Sequence, residues 1–256
     1  DLYPAWNGDG RLAFVSDRDG NDEIYVWDSG VLTNISQSTA REYDPVWSED
    51  GRLAFEAWKN LGGVIYVWNG DTLSKISQMI ADDYGPFWSR DGRLAFVRKR
   101  YNSLPFTKDV YIWDGATLTH VAPSEAEDLY PAWSIDGRLA FVSSRNGYSD
   151  IYIWDGITLT NISQSEASDF APTWSEDGRL AFESGQDDNL DIYVWDGIAV
   201  TNISQSETYD HFPTWSKDGR LAFVSGSDIS IWDGVTVTNI TQSPNSSETF
   251  PQWWTP

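Results

Sequence analysis

Short runs of alternating apolar and polar residues recur along the chain, and each run is bounded by a turn. In the first unit four such runs fall at residues 3–6, 11–16, 24–28 and 32–36. β-Branched and aromatic residues fill the runs, and Asp-Gly or Asn-Gly pairs separate them, which is typical of antiparallel hairpins. The sequence offers no credible helix, so we predict an all-β protein.

The pattern of strands repeats with a fixed period. The motif Trp-x-x-Asp-Gly-Arg-Leu-Ala-Phe begins at six tryptophans, and all but one of the steps between them are 41 residues. These are Trp6, Trp47, Trp88, Trp133, Trp174 and Trp215. Each copy is followed by a motif such as Ile-Tyr-Val-Trp-Asp and then by one such as Leu-Thr-Asn-Ile-Ser. Four strands in about 40 residues are typical of a propeller blade.

Six repeats predict a single six-bladed domain over residues 1–256. The expected blades cover residues 1–38, 39–79, 80–124, 125–165, 166–206 and 207–243. Residues 1–38 and 128–165 match at 27 of 38 positions, which indicates recent amplification of the repeat.

The recurring Pro-x-Trp-Ser-x-Asp-Gly-Arg-Leu-Ala-Phe, followed by Ile-Tyr-Val-Trp-Asp, resembles the repeat of the TolB-like β-propellers, which are relatives of the WD-repeat propellers. The resemblance covers essentially the whole chain. It implies a six-bladed propeller with four antiparallel strands per blade, and it implies a recognition platform. Since such propellers occur in very different proteins, it is a weak guide to the ligand.

The first strand of the repeat occurs once too often. Copies of Pro-x-Trp lie near both ends, at Pro4 and at Pro251, although the other strands occur six times. The resemblance implies that residues 244–256 form a ring-closing strand, which enters the first blade. The alternative is the N-terminal copy, because the short turn after Trp6 tethers it to the next strand and short loops close readily. We expect a monomer on this basis, and the displaced N-terminal copy makes a strand-exchanged dimer conceivable.

Charge and composition narrow the possible partners. The net charge of −22 opposes binding to nucleic acid and to anionic membranes, so neither is an expected partner. There is no cysteine, and no apolar run is long enough to span a bilayer. We expect a soluble protein without a cofactor. The compartment stays open between bacterial periplasm, extracellular space and cytoplasm, as does membership of a longer chain.

The residues that every repeat shares are expected to be structural. Thirteen of the fifteen tryptophans occupy repeated positions, where packing between blades explains them better than sugar binding does. The arginine after each Asp-Gly turn is expected to pair with a nearby aspartate, such as that of the Trp-Asp motif, rather than to form an anion site.

The positions that differ between blades are the candidate binding residues. The connections between the second and third strands, and those between blades, vary in length and should share one face. Trp58 and several basic and aromatic residues in the second and third blades break the repeat there. The candidate set is Trp58, Lys59, Arg98, Lys99, Arg100, Tyr101, Phe106 and Lys108. Together they suit a protein or peptide partner, although a merely solvated loop remains the alternative.

Acidic residues mark the same face. An acid stands three residues before each strand-a proline, as at Glu42, Asp83 and Asp169. These acids could bind a cation or a basic peptide as a rim, but capping of the turns is the favoured interpretation. Residues 17–23 resemble a calcium loop whose glycine is misplaced, so no metal site is predicted.

Catalysis is not expected. The two histidines, His120 and His211, fall in different blades and at different positions of the repeat, and no nucleophile or zinc motif is present. The alternative to peptide recognition is a lectin-like propeller. It would use the aromatic residues outside the repeated positions, which include Tyr148.

Overall fold

The computed structural model consists of two compact units, residues 1–125 and residues 126–256. It describes residues 1–59, 62–77, 81–101, 106–186, 189–242, 248–249 and 251–253. Each unit contains three four-stranded antiparallel sheets, and no helix occurs in these ranges. The six sheets are the blades of a six-bladed β-propeller, which confirms the predicted fold class.

The first unit contains twelve strands. They are β1 (Leu2–Trp6), β2 (Leu12–Ser16), β3 (Glu23–Asp28), β4 (Val31–Asn34), β5 (Arg41–Trp47), β6 (Leu53–Lys59), β7 (Gly62–Trp68), β8 (Leu73–Lys75), β9 (Ala81–Trp88), β10 (Leu94–Arg100), β11 (Thr107–Trp113) and β12 (Leu118–His120).

The second unit contains the other twelve strands. They are β13 (Asp128–Trp133), β14 (Leu139–Ser143), β15 (Asp150–Trp154), β16 (Leu159–Asn161), β17 (Asp169–Trp174), β18 (Leu180–Ser184), β19 (Asp191–Trp195), β20 (Val200–Asn202), β21 (Asp210–Trp215), β22 (Leu221–Ser225), β23 (Asp228–Trp232) and β24 (Val237–Asn239).

Strand order follows the chain within every sheet, so the four strands of a blade are named a to d in sequence. Because neighbouring strands are antiparallel, the b–c and d–a connections lie at the same end of the strands in each sheet. We call this end the loop edge. The a–b and c–d turns leave at the opposite edge. The variable connections of the sequence therefore lie together in each blade.

The hydrophobic core of each unit lies between consecutive sheets. In the first unit Ala13 and Ile24 of the first blade pack with Leu53 and Phe55 of the second. In the second unit a cluster of the same kind joins the fourth and fifth blades around Phe182. The strand-b phenylalanine is fully buried in five of the six blades. Burial of these side chains is the main favourable contribution to folding.

A tryptophan joins each blade to the preceding blade of its unit. Its indole Nε1 donates a hydrogen bond to a main-chain carbonyl of the preceding strand a. The pairs are Trp47 to Ala5 at 3.0 Å, Trp88 to Val46 at 3.1 Å, Trp174 to Ala132 at 3.1 Å and Trp215 to Thr173 at 3.0 Å. This contact is a structural role for the repeated strand-a tryptophan within each unit.

The turn arginines cover these tryptophans. Arg11 lies 4.7 Å from the centre of the Trp47 ring, and Arg138 lies 4.6 Å from that of Trp174. Each turn arginine pairs with the aspartate two residues before it, as Arg138 does with Asp136 at 3.0 Å. The turn arginine is paired with a nearby aspartate, as expected. That aspartate belongs to the Asp-Gly turn and not to the Trp-Asp motif.

The aspartate of the Trp-Asp motif instead caps the c–d turn. Asp114 accepts hydrogen bonds from the amides of Ala116 and Thr117, at 2.8 and 2.7 Å. Hydrogen bonds from Thr117 and these amides lower the pKa of Asp114 to about 2. The aspartate faces its own turn, which explains why it is not the partner of an arginine.

The two terminal copies of the Pro-x-Trp motif have different surroundings. The N-terminal copy lies in β1, which pairs with β2 and is strand a of the first sheet. The short a–b turn at residues 7–10 makes this pairing local, and short loops close at low entropic cost. Of the C-terminal copy, Trp253 donates to the Thr214 carbonyl at 3.0 Å and lies beneath Arg220. The strand-a position of the first sheet is thus held by β1, whereas the C-terminal copy was expected there.

Candidate functional site

Strand a of every blade contains a bulge immediately before its proline. The residue at the bulge has a positive φ, and the register with strand b shifts there in all six sheets. The residues are Tyr3 (51°), Asp44 (50°), Gly85 (65°), Tyr130 (53°), Ala171 (49°) and Phe212 (56°). Such φ values are strained for residues other than glycine, and strained backbone often marks functional positions.

Sequence reasoning missed these bulge residues. The residue before the proline is Tyr, Asp, Gly, Tyr, Ala or Phe, and the residue preceding it varies as well, so the proline was the only constant signal beside the bulge. In the second unit Tyr130 and Phe212 are 58% and 42% exposed, and with the strand-a prolines they line a groove of about 460 Å³.

The acids at the start of strand a are buried and hydrogen-bonded. Asp83, Asp128, Asp169 and Asp210 are all 0% exposed. Glu42 accepts a hydrogen bond from the Ser38 hydroxyl at 2.6 Å and one from the Ile24 amide at 3.1 Å. These contacts support the interpretation that the acids cap turns. In these five blades the carboxylates are buried, so they are not open to a cation or a basic peptide.

Arg98, one of the candidate binding residues, forms an ion pair with such a buried acid. Its guanidinium donates two hydrogen bonds of 2.7 Å to Asp83, and it lies 4.4 Å from the centre of the Tyr111 ring. Arg145 of the fourth blade contacts Asp128 and Tyr152 in the same way. The equivalent contacts indicate that Arg98 stabilises its blade.

Arg100 also forms an ion pair with a buried acid. Its Nε donates to Asp109 at 2.6 Å, and His120 Nε2 lies 3.1 Å from the other oxygen of this fully buried carboxylate. Burial alone would raise the pKa of Asp109, but His120 and Arg100 outweigh it and the pKa is lowered. His120 replaces the strand-d asparagine of four other blades, such as Asn161, which donates to Asp150 at 2.7 Å.

The remaining candidates lie on two long b–c hairpins. Strands β6, β7, β10 and β11 have seven residues each, whereas strands b and c of the fourth to sixth blades have five. Two more residues extend a strand by roughly 6–7 Å. The second and third blades therefore project further at the loop edge than the blades of the second unit do.

The tip of the third-blade hairpin presents an aromatic and basic cluster. The Tyr101 and Phe106 rings meet edge to face at 5.3 Å, and each side chain is 45% exposed. The Lys99 ammonium lies 5.1 Å from the Tyr101 ring centre and 5.7 Å from that of Phe106. Lys108 is opposite Lys99 in the strand register. Residues 102–105 of this loop lie outside the described ranges.

A buried carboxylate links the two hairpins. Asp82 accepts a hydrogen bond from the Gly63 amide at 3.2 Å and another from the Tyr101 hydroxyl. It thereby ties the second-blade hairpin to the third. Hydrogen bonds to a buried carboxylate fix the geometry of both donors.

Trp58 and Lys59 occupy the end of the second-blade strand b. The Trp58 ring covers Gly63, where an added Cβ would lie only 2.9 Å from ring atoms. Its Nε1 donates to Glu56 at 2.6 Å, so the indole is held inside the hairpin. Lys59 is exposed, and its ammonium donates to the Thr39 hydroxyl at 2.7 Å. Trp58 is thus a packing residue as much as a surface residue.

The family model described as the TolB beta propeller domain matches residues 78–229. That range covers more than half of the chain. The chain belongs to the TolB β-propeller family. The resemblance predicted from the repeated motifs is thereby confirmed. No match was found among the curated proteins.

Solved structures show the same fold at low identity. The β-propeller domain of the Trilobed protease from Pyrococcus furiosus, described as having an open velcro topology, is 15% identical with a TM-score of 0.67, and the match covers 95% of this chain and 82% of that one. The putative TolB from Agrobacterium tumefaciens is 22% identical with a TM-score of 0.57, covering 82% and 83%. A puromycin-hydrolyzing peptidase from Mycobacterium tuberculosis is 15% identical with a TM-score of 0.68, covering 96% of this chain but 47% of its own.

Among the described residues, no group of three or more histidine, aspartate and glutamate side chains is placed to hold a metal ion. None of the described segments is a helix that could cross a bilayer.

Proposed function

We propose that this chain is a non-enzymatic recognition platform, which binds a protein or peptide partner at the loop edge of the second and third blades. The observation that carries the proposal is a cluster on an extended hairpin, in which the exposed rings of Tyr101 and Phe106 lie beside the half-buried Lys99. Exposed aromatic side chains beside a cation are typical of residues that dominate binding energy in protein interfaces.

Buried aspartates hold the residues of the hairpin cluster and their neighbours in place. Asp82 fixes the Tyr101 hydroxyl and the neighbouring hairpin, while Arg98 and Arg100 are neutralised by buried aspartates. A pre-organised surface loses less side-chain entropy when a partner binds. This arrangement also narrows the site: we expect Lys59, Lys99, Tyr101, Phe106 and Lys108 to contact the partner, and Trp58, Arg98 and Arg100 to position them.

The two histidines have structural surroundings, which favours a non-enzymatic function. His120 stacks on Tyr111 with ring centres 4.6 Å apart, beside buried Asp109. His211 Nδ1 lies 3.4 Å from Glu183 in another blade. Among the described residues, neither histidine is arranged with a nucleophile and a second acid, as catalytic histidines are.

The test compares capture of partners by purified variants. Phe106→Ser and Lys99→Glu should each reduce recovery of a specific partner at least about fivefold, since interface anchors are worth more than 1 kcal/mol. Tyr148→Ser is the matched control, because Tyr148 lies in a b–c loop of the fourth blade and is 48% exposed. Melting temperatures should be equal for all variants.

Equal capture by all the variants would refute the proposed site. A glycan array on the same proteins examines the lectin alternative. Binding to a glycan that depends on Phe106, with no protein captured, would replace peptide recognition by carbohydrate recognition.

A further inference from the structure

A cavity of about 340 Å³ lies within the first unit, between the d–a connection that follows the first blade and strands b to d of the second. Its inner wall is the apolar cluster of Ala40, Ala57 and Val64, which are 8%, 3% and 7% exposed, with Tyr66 packed against them. Two lysines, Lys59 and Lys75, also line it. The volume suits a small ligand.

Four of the other blades fill the corresponding positions with a polar network of an acid and an asparagine. In the fifth blade Asn202 donates to Asp191 at 2.7 Å and to the Tyr193 hydroxyl at 3.3 Å. The fourth blade has the same contacts from Asn161 to Asp150 and Tyr152. An acid on strand c and an amide on strand d thus satisfy each other and occupy the space.

The second blade has lost this network. Val64 replaces the strand-c acid, Lys75 replaces the strand-d asparagine, and Ala57 replaces the strand-b serine of four blades. Within the described ranges, the Tyr66 hydroxyl has no hydrogen bond and Lys75 has no ion pair. A cation and a hydroxyl therefore face an apolar wall, with no carboxylate of the strand-c position to neutralise them.

Glu42 is the one acid among the described residues that line the cavity, and its carboxylate is already hydrogen-bonded. Glu42 is 1% exposed, and its two oxygens accept hydrogen bonds from the Ser38 hydroxyl and the Ile24 amide. Lys59 donates to a neutral hydroxyl, that of Thr39. Two of the chain's five lysines thus lie at one cavity without an ion pair among the described residues.

We propose that this cavity binds a carboxylate attached to a compact apolar group. The apolar body would pack on Ala57 and Val64, while Lys59, Lys75 and the Tyr66 hydroxyl hold the carboxylate. The negative net charge of the chain does not prevent this, because salt screens charges beyond about 8 Å and leaves the two lysines dominant. The cavity shares Lys59 with the hairpin site, but the two sites can be tested separately, since neither Tyr101 nor Phe106 lines the cavity.

The probe is 4-(trifluoromethyl)benzoate, titrated against the intact chain and followed by ¹⁹F NMR. The neutral isostere 4-(trifluoromethyl)benzamide has the same apolar body, so it should bind at least about fivefold more weakly. Affinity for the acid should fall with added salt, as expected for partly exposed charges. A short peptide that ends in leucine, compared with its C-terminal amide, distinguishes a peptide terminus from a free acid as the natural source.

Variants locate the binding. Lys75→Gln should weaken the acid about fivefold, at the upper end for a partly exposed ion pair. Val64→Asp/Lys75→Asn restores the pair found in the fourth blade and should abolish binding. Lys217→Gln removes an exposed lysine of the second unit and should change nothing.

Equal affinity for acid and amide, or equal affinity of Lys75→Gln and the unaltered chain, would overturn the proposal. No detectable binding of the acid would overturn it too. Lys75→Gln alters an exposed side chain, so this part of the test remains informative even where the double variant fails to fold.

Discussion

Asp169 gives the protein a pH-dependent stability that one arginine should remove. Asp169 and Asp128 begin strand a in consecutive blades, and both are fully buried. Asp128 is paired with Arg145 at 3.0 Å, whereas the partners of the Asp169 carboxylate among the described residues are hydroxyls, such as that of Ser165 at 3.3 Å. Burial, reinforced by the charge of Asp150 and partly offset by serine hydroxyls, raises the pKa of Asp169 to about 6.

The sign and size of the effect follow from the two protonation states. In the unfolded chain the pKa of an aspartate is about 3.9. Between about pH 4 and pH 6 the folded protein therefore binds the proton more tightly than the unfolded chain does. The free energy of unfolding falls as pH rises through this window, and the loss is nearly complete about one pH unit above the folded-state pKa. Two pKa units correspond to about 2–3 kcal/mol.

The perturbation is Gln186→Arg. Gln186 lies two residues after Ser184, and Arg145 lies two residues after Ser143, so the new arginine starts from the equivalent place. We expect it to pair with Asp169 and to lower that pKa. The gain at pH 7.5 should reach at most about 2–3 kcal/mol, because desolvation of the pair offsets part of it. For a chain of this length that is roughly 4–12 °C in melting temperature.

Urea unfolding at pH 4, 5.5 and 7.5 measures the effect. Gln186→Met is the matched control, because it has an unbranched chain without the charge. The gain of Gln186→Arg over this control should vanish at pH 4, where Asp169 is protonated. A gain that does not depend on pH, or no gain at pH 7.5, would show that Asp169 is not the source of the instability.

Three shorter predictions concern packing and backbone. Trp253→Ala removes the bond to Thr214 and the contact with Arg220, so it should cost about 2–4 kcal/mol in thermal unfolding, and an unchanged melting temperature would contradict this. Trp58→Phe leaves a Glu56 oxygen without its donor and should cost about 1–3 kcal/mol in urea unfolding, unless water replaces the indole at no cost. Gly85→Ala places a Cβ at φ 65° and should cost about 1 kcal/mol, whereas a higher melting temperature would refute strain at the bulge.

Much of the fold could be predicted because its determinants are local. Alternation of side chains and turn glycines lie within a few residues of each other, and the predicted strands of the first blade agree with β1 to β4 to within two residues. The bulge before each proline was not predicted. A proline usually pushes the preceding residue to extended backbone, and only the sheet pairing holds it at positive φ.

The candidate site was harder to predict, because ion pairing depends on strand register. Arg98 lies opposite both Asp83 and Asp109 in the ladder, which places its guanidinium over buried carboxylate rather than in solvent. The basic residues of the loop were read from the sequence as a free positive surface. Both arginines of this loop, Arg98 and Arg100, are instead neutralised by buried aspartates on neighbouring strands.

Near-identical blades make the partner of a side chain more informative than its type. Arg98 and Arg145 start from different positions of the repeat, yet both reach a buried aspartate and a strand-c tyrosine, so the sequence variation leaves the contacts unchanged. Lys75 is the opposite case, because the acid that its position would meet in the other blades is Val64. A charge that has lost its internal partner must be hydrated or bind something else. In this chain, ligand-binding residues should therefore be sought at positions such as Lys75, where a charged side chain has lost the partner that the other blades provide.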